Sequence, residues 1–210
     1  GMQFPDDQMF KYAIKFNYKE QILWIEPEGY ALDIHEFISA NNGNYMAYIN
    51  HQQQGPIPSN LNNNLSLIFQ SLGYQADGVT NEFSWKGQKI IEFDSETNQQ
   101  IWSWDVFDYF TMDDYDIFSW PNAINSGFYD WTHLNSIFFD EVEDEIYLSF
   151  RHLSRIIKID YPSGDIIWMM GLPYPYMASG EEHICSDLHF SYQHHVQKLD
   201  NGHLLFFDNG

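Results

Sequence analysis

The stretch "DWTHLNSIFFDEVEDEIYLSFRHLSRIIKID", residues 130–160, reads as alternating strands, yet it sets His133, Asn135 and Arg151 where a sheet takes apolar side chains. Its last strand opens one of three copies of a template. The copies are "IKFNYKEQILW" (14–24), "IEFDSETNQQIW" (91–102) and "IKIDYPSGDIIW" (157–168), each two short strands around a turn and closing on a Trp. A second template alternates with the first: "HEFISANNGNYMAYIN" from His35, "HLNSIFFDEVEDEIYLSFR" from His133 and "HHVQKLDNGHLLFFDN" from His194. Its turns are Asn42-Gly43, Glu143-Asp144 and Asn201-Gly202, residues that favour tight hairpin turns. One hairpin of each kind makes a four-stranded antiparallel meander, the unit of a β-propeller blade.

The expected fold is therefore all-β, a β-propeller of four-stranded antiparallel blades. Three blades' worth of hairpins are present, whereas a propeller closes with roughly four to eight. Residues 1–210 thus read as part of a single propeller domain, incomplete in this chain, with further blades expected beyond Gly210. An open or irregular β-domain is the alternative. Two insertions interrupt the repeats, at about 51–88 and 105–129. The first, opening "HQQQGPIPSNLNNN", has loop composition with one short helix at "LSLIFQSLG", and is expected to lie outside the sheets. The second is acidic and aromatic, which suits either packing against the blades or a lid over a site.

Composition narrows the function. Nine Lys and Arg against 30 Asp and Glu leave a net charge of −21, which argues against nucleic acid or an anionic membrane as partner. An anionic ligand must be drawn in by local positive groups. Cys185 is the one cysteine, so an intrachain disulfide and a cysteine-based zinc site are both excluded. The longest apolar runs, such as "LLFF" at 204–207, fall far short of the roughly 20 residues of a membrane-spanning helix.

The histidines share a register. His35 and His194 each stand eight residues before the Gly of their turn, and His133 opens the equivalent strand ahead of a longer turn. His195 is one residue out of register and should face the other way. Seven residues after the turn residue, Arg151 occupies the position of Asn50 and Asn209. In a propeller such equivalent positions converge on the central channel, which predicts a ring of three imidazoles with one guanidinium among neutral amides. Three in register outweigh the ordinary reading of each as a core or turn histidine. Trp131, Trp168 and Tyr192 are placed either to stack an aromatic ligand or to pack the blades.

Taken together, "DWTHLNSI", the arginine of "LSFRHLSRIIKID", "GDIIWMMG" and "YQHHVQKLDNGHLLFFDNG" resemble the bacterial aryl sulfotransferase (arylsulfate sulfotransferase) family. The likeness runs from "GYALDIHEFISANNGNYMAYI" to Gly210 and is weak in the insertions. It implies a six-bladed propeller and transfer of a sulfuryl group from a phenolic sulfate ester to another phenol, with no nucleotide donor, cofactor or metal. By the same likeness His194 is the nucleophile that becomes a sulfohistidine, while His35, His133, Asn135 and Arg151 hold the sulfuryl oxygens. A phenol ring would lie near Trp131 and Tyr192. The partners implied are a small aryl sulfate donor and a phenolic acceptor, and a periplasmic or secreted location is suggested by the family alone. The disulfide that some members carry ahead of the nucleophile is impossible here. Two other readings of the ring remain: an iron or zinc centre on the three histidines, which Arg151 opposes by its charge, and a non-catalytic binding propeller.

Overall fold

The computed structural model describes residues 13–40, 42–171 and 183–210. Its elements follow in chain order as β1 (Ile14–Phe16), β2 (Ile22–Ile25), β3 (Leu32–Ser39), β4 (Tyr45–Pro56), α1 (Asn63–Ser71), β5 (Asn81–Phe93) and β6 (Gln100–Asp105). Next come α2 (Val106–Tyr109), α3 (Trp120–Ser126), β7 (Tyr129–Asp130), β8 (Leu134–Asp140), β9 (Glu145–Phe150), β10 (Arg155–Asp160) and β11 (Ile166–Gly171). The described chain ends with β12 (His183–Ile184), β13 (His194–Lys198) and β14 (Leu204–Phe207). The fold class is all-β, as the alternating pattern implies.

The hairpin templates pair as their turns dictate. β3-β4-β5-β6 and β8-β9-β10-β11 are two antiparallel meanders, flanked by the hairpins β1-β2 and β13-β14. Asn42-Gly43 and Asn201-Gly202 turn where the sequence places them, with Gly43 and Gly202 left-handed at φ 91° and 81°. β8 packs against both β3 and β13, so the first strands of three successive units are neighbours.

The first insertion corrects the expectation that 51–88 lies outside the sheets. β4 and β5 continue past the length of the other repeats in one unbroken ladder, from Tyr45 opposite Phe93 to Gly55 opposite Phe83. Composition misled because a ladder is made by backbone groups: Gln52, Gln53 and Gln54 are exposed, while Phe83 and Trp85 on the partner strand supply the buried face. At Gly55 an added Cβ would collide with the Trp85 indole, so the close approach requires glycine there. The predicted short helix is present as α1, whose first turn is capped by Asn62 accepting from the Leu65 amide at 3.0 Å. It buries Leu65 and Phe69, and the Phe69 ring meets Phe83 edge-on at 5.3 Å.

The second insertion packs. Trp120 stacks on Tyr129 with ring centres 4.2 Å apart, and both join Trp85 and Trp131 in one fully buried aromatic cluster. Its acidic residues work as braces. Asp114, 2% exposed, accepts from the Arg155 guanidinium at 2.6 Å, and Arg155 is 0% exposed beneath the Phe110 ring. Among the described residues no helix is long and apolar enough to cross a membrane.

The buried pair ties this insertion to β10, and removing Asp114 takes an ion-pair partner from a buried guanidinium. Asp114→Ala should therefore cost about 3–5 kcal/mol in denaturant-monitored unfolding, well beyond an exposed carboxylate such as Glu96, which should move the midpoint little.

Candidate active site

His133 is set by the segment that precedes it. β7 runs parallel to the outer part of β5, with Lys86 opposite Asp130, and the Trp131 amide donates to the Lys86 carbonyl at 2.9 Å. The buried Gln88 carboxamide oxygen then accepts from the Thr132 hydroxyl at 2.6 Å and from the Leu134 amide at 3.0 Å. Between these pins the backbone at His133 is left-handed, φ 50°, a conformation that a residue with a Cβ adopts only when its surroundings impose it. Its ring nitrogen Nδ1 lies 2.6 Å from Asp130 Oδ2, while Lys86 Nζ is 3.0 Å from the other carboxylate oxygen. Burial works to raise the Asp130 carboxyl, but the His133 bond and the charges of His133 and Lys86 outweigh it and hold the group at about 2.

His35 repeats the arrangement one unit earlier. Its Nδ1 meets Asp33 Oδ1 at 2.5 Å, and Asn50 donates to the other Asp33 oxygen at 3.2 Å. The His35 and His133 rings stand edge to face with centres 5.7 Å apart. Arg151 enters from the turn after β9, where its amide donates to the His133 carbonyl at 3.0 Å and its guanidinium lies 4.6 Å from the centre of the Tyr192 ring. Beside it His152 donates from Nδ1 to the Asp130 carbonyl at 2.6 Å, with its ring 4.6 Å from that of His133. Burial, followed by the nearby charge of His133, pushes His152 down to about 4, so it is neutral near pH 7.

His194 completes the group. Tyr192 is also left-handed, φ 50°, and its carbonyl accepts from His194 Nδ1 at 2.9 Å. A carbonyl can only accept, so Nδ1 carries the proton and Nε2 keeps its lone pair. Burial lowers the pKa of His194; the bond to the Tyr192 carbonyl opposes this, and the charges of Arg151, His133 and His35 lower it further. Those three charges act on His194 because the fold brings the groups together.

The remaining residues lie beside this group. Asn135 is 5% exposed and its amide nitrogen donates to the Gln193 carbonyl at 2.7 Å, so that donor holds the strand carrying His194. Trp131 is 0% exposed, with its indole nitrogen donating to the Asp114 carbonyl at 2.6 Å, so of its two readings packing is the one the burial supports. Trp168 lies against Tyr147 at 5.8 Å, also in packing. Tyr192 is half-buried: its ring carries Arg151, and its hydroxyl donates to Asp116 at 3.1 Å. His195 is exposed and bonded to Gln197, outside the cluster.

Sequence reading missed Asp33, Asp130, His152, Gln88 and Gln193. A signal existed for some of them. Asp33 and Asp130 stand two and three residues before their histidines, and His152 follows Arg151 as His51 follows Asn50 in the equivalent register. Among the described residues, the set with metal-ligand spacing is Asp130, His133 and His152, whose ligand atoms lie within 4.8 Å of one another, in place of the three repeat histidines. Lys86 at 3.0 Å from Asp130 competes with a cation there.

An all-β chain whose neighbouring units bring histidines and one arginine together has the makings of a group-transfer site for an anion. The chain belongs to the arylsulfotransferase (ASST) family, whose sequence model matches residues 27–210. No curated protein matched the chain.

Nitrogen NMR of the histidine rings tests this geometry without any assay of activity. His194 should appear as the Nδ1–H tautomer at neutral pH and titrate below 6.5, whereas an Nε2–H ring or a midpoint above 6.5 would contradict the structure.

Proposed function

We propose that the two meanders and flanking hairpins are blades of a β-propeller, and that the histidine cluster at its centre transfers a sulfuryl group from an aryl sulfate to a phenol through a sulfohistidine at His194. The observation that carries this reading is the anchoring of His194 Nδ1 on the Tyr192 carbonyl, which leaves Nε2 unprotonated on a ring close enough to Arg151, His133 and His35 to feel their charges. Family membership supports aryl sulfotransfer in general.

In the first half-reaction the Nε2 lone pair of His194 attacks sulfur and the sulfur–oxygen bond to the aryl group breaks. Arg151 offers two parallel N–H donors to sulfuryl oxygens, and its planar fork suits the charge that gathers on the equatorial oxygens of a loose transition state. The departing phenolate takes a proton from His133 or His35, each held at Nδ1 by a carboxylate so that Nε2 is left for the transfer. In the second half-reaction that imidazole removes the proton of an acceptor phenol, whose oxygen attacks sulfur as the sulfur–nitrogen bond breaks. Covalent transfer in two halves gives ping-pong kinetics.

The test is turnover with 4-nitrophenyl sulfate as donor and phenol as acceptor. His194→Ala should abolish transfer and His195→Ala should leave most of it. Arg151→Lys, which exchanges the fork for a point charge, should lose about 100-fold or more in kcat. Persistent turnover in His194→Ala refutes the nucleophile.

The pH profile follows from the lowered pKa of His194. The neutral ring is the reactive form, so the midpoint of the acid decline of the donor half-reaction should lie below 6.5. A decline already complete by 6.5 would contradict it. Treatment with a chelator should leave turnover unchanged, whereas loss of activity with release of a metal from Asp130, His133 and His152 would favour a metal centre.

A further inference from the structure

Tyr192 touches two of the groups that the proposed reaction needs. Its carbonyl accepts from His194 Nδ1 at 2.9 Å, and its ring lies 4.6 Å from the Arg151 guanidinium. The backbone of this one residue therefore sets the tautomer of the nucleophile, and its side chain supports the sulfuryl-binding fork. The backbone is left-handed, φ 50°, a conformation that costs a residue with a Cβ about 1–3 kcal/mol and persists only under outside constraint. Two bonds contribute to that constraint. The Tyr192 amide donates to the Ser154 hydroxyl at 3.3 Å, and the Tyr192 hydroxyl donates to Asp116 Oδ2 at 3.1 Å.

Asp116 is itself firmly placed. It is 4% exposed, and its side chain accepts from the Phe118 amide at 2.8 Å and from the Ser119 hydroxyl at 2.5 Å. Its carbonyl accepts from the Tyr129 hydroxyl at 2.8 Å, and Tyr129 stacks on Trp120 in the buried aromatic cluster. A line of contacts thus runs from that cluster through Asp116 to Tyr192, and from Tyr192 to His194 and Arg151.

We infer that Asp116 is a positioning residue for the transfer: through the Tyr192 hydroxyl it holds the Tyr192 carbonyl on His194 Nδ1 and the Tyr192 ring against Arg151. The second insertion, which the repeat plan does not require, then sets the nucleophile and the sulfuryl-binding group together. The inference rests on the sulfuryl-transfer reading for what this placement serves. A phenylalanine would fill the half-buried space of the Tyr192 ring equally well, so the directed bond to Asp116 is what tyrosine adds there. Without that bond the left-handed backbone loses one of its holds and the carbonyl can turn away from His194. The imidazole is then free to carry its proton on Nε2, the nitrogen that must be bare for attack.

Nitrogen NMR of the histidine rings in the whole chain, together with the rate of 4-nitrophenol release from 4-nitrophenyl sulfate, tests the inference. Tyr192→Phe removes the hydroxyl and keeps the ring, and Asp116→Ala removes the acceptor from the other side. Tyr115→Phe is the control, because the Tyr115 hydroxyl donates at 2.6 Å to Asn60, a bond of the same insertion directed elsewhere. Tyr192→Phe and Asp116→Ala should each bring the Nε2–H tautomer into the His194 signal. Each should also slow 4-nitrophenol release by about tenfold, short of the roughly hundredfold that a 1 Å misplacement costs. Tyr115→Phe should keep the wild-type tautomer and rate. Tyr192→Phe decides the matter even should Asp116→Ala fail to fold. The inference is overturned if Tyr192→Phe keeps the wild-type tautomer, if it releases 4-nitrophenol as fast as an active wild type, or if Tyr115→Phe alters both readings as much. A tautomer that responds to Tyr192→Phe in a chain whose wild type shows no sulfuryl transfer would uphold the positioning and sink the proposed reaction.

Discussion

Gln193 is wholly buried between two units of the fold, and its carboxamide nitrogen lies within hydrogen-bonding distance of three acceptors: the Ser149 hydroxyl at 3.1 Å, the Phe150 carbonyl at 3.1 Å and the Arg155 carbonyl at 2.9 Å. These acceptors flank the turn that carries Arg151 and His152. Its own carbonyl accepts from Asn135, which stands two residues after His133. One residue thus fixes the start of β13 against β8, β9 and β10, and with it the distance from His194 to Arg151 and His133. Gln88 does the corresponding work one unit earlier, pinning Thr132 and Leu134 on either side of His133. Buried carboxamides that lose their partners are costly, about 1–3 kcal/mol for each group, so such clamps permit little slack. The second insertion adds a third hold, because Asp116 accepts from the Tyr192 hydroxyl and Tyr192 supports both Arg151 and His194.

That rigidity matters because the chemistry depends on which ring nitrogen is free. Four imidazoles, His35, His133, His152 and His194, are all held at Nδ1, two by carboxylates and two by backbone carbonyls. Under the proposed reaction the difference in partner divides the labour. A carboxylate stabilises a protonated ring and suits proton delivery, whereas a carbonyl fixes a neutral ring and suits a nucleophile. The setting is acidic overall, at −21, so in the proposed reaction attraction of an anionic donor falls to Arg151 and the donors around it.

The sequence made the repeat plan legible because tight turns have strong local chemistry: Asn42-Gly43 and Asn201-Gly202 fix both hairpin and register, and register in turn brought His35, His133, Arg151 and His194 to one place. It failed where structure is made by backbone or by partners distant in the chain. The long β4–β5 ladder hid behind glutamines, since a ladder needs no particular side chain on its exposed face. Asn135 is spent on a carbonyl from another unit, Gln193, 58 residues away, and Trp131 is closed in by Asp114 and Trp85, contacts that no local pattern announces. Asp33 and Asp130 were close enough in sequence to be noticed, but their role is visible only once the left-handed turn at His133 and the strand at His35 set the rings against them.

The central claim is that His194 becomes the covalent carrier because its Nε2 is unprotonated and its ring lies near the groups proposed to bind the sulfuryl oxygens. Rapid quenching after mixing with 4-nitrophenyl sulfate alone, followed by digestion under alkaline conditions and mass spectrometry, tests it most directly. The account predicts one sulfuryl group on the peptide containing His194, attached to the imidazole and removed when phenol is added before the quench. A label on a tyrosine, on His133 or on His35, or release of 4-nitrophenol only when an acceptor is present, would contradict it.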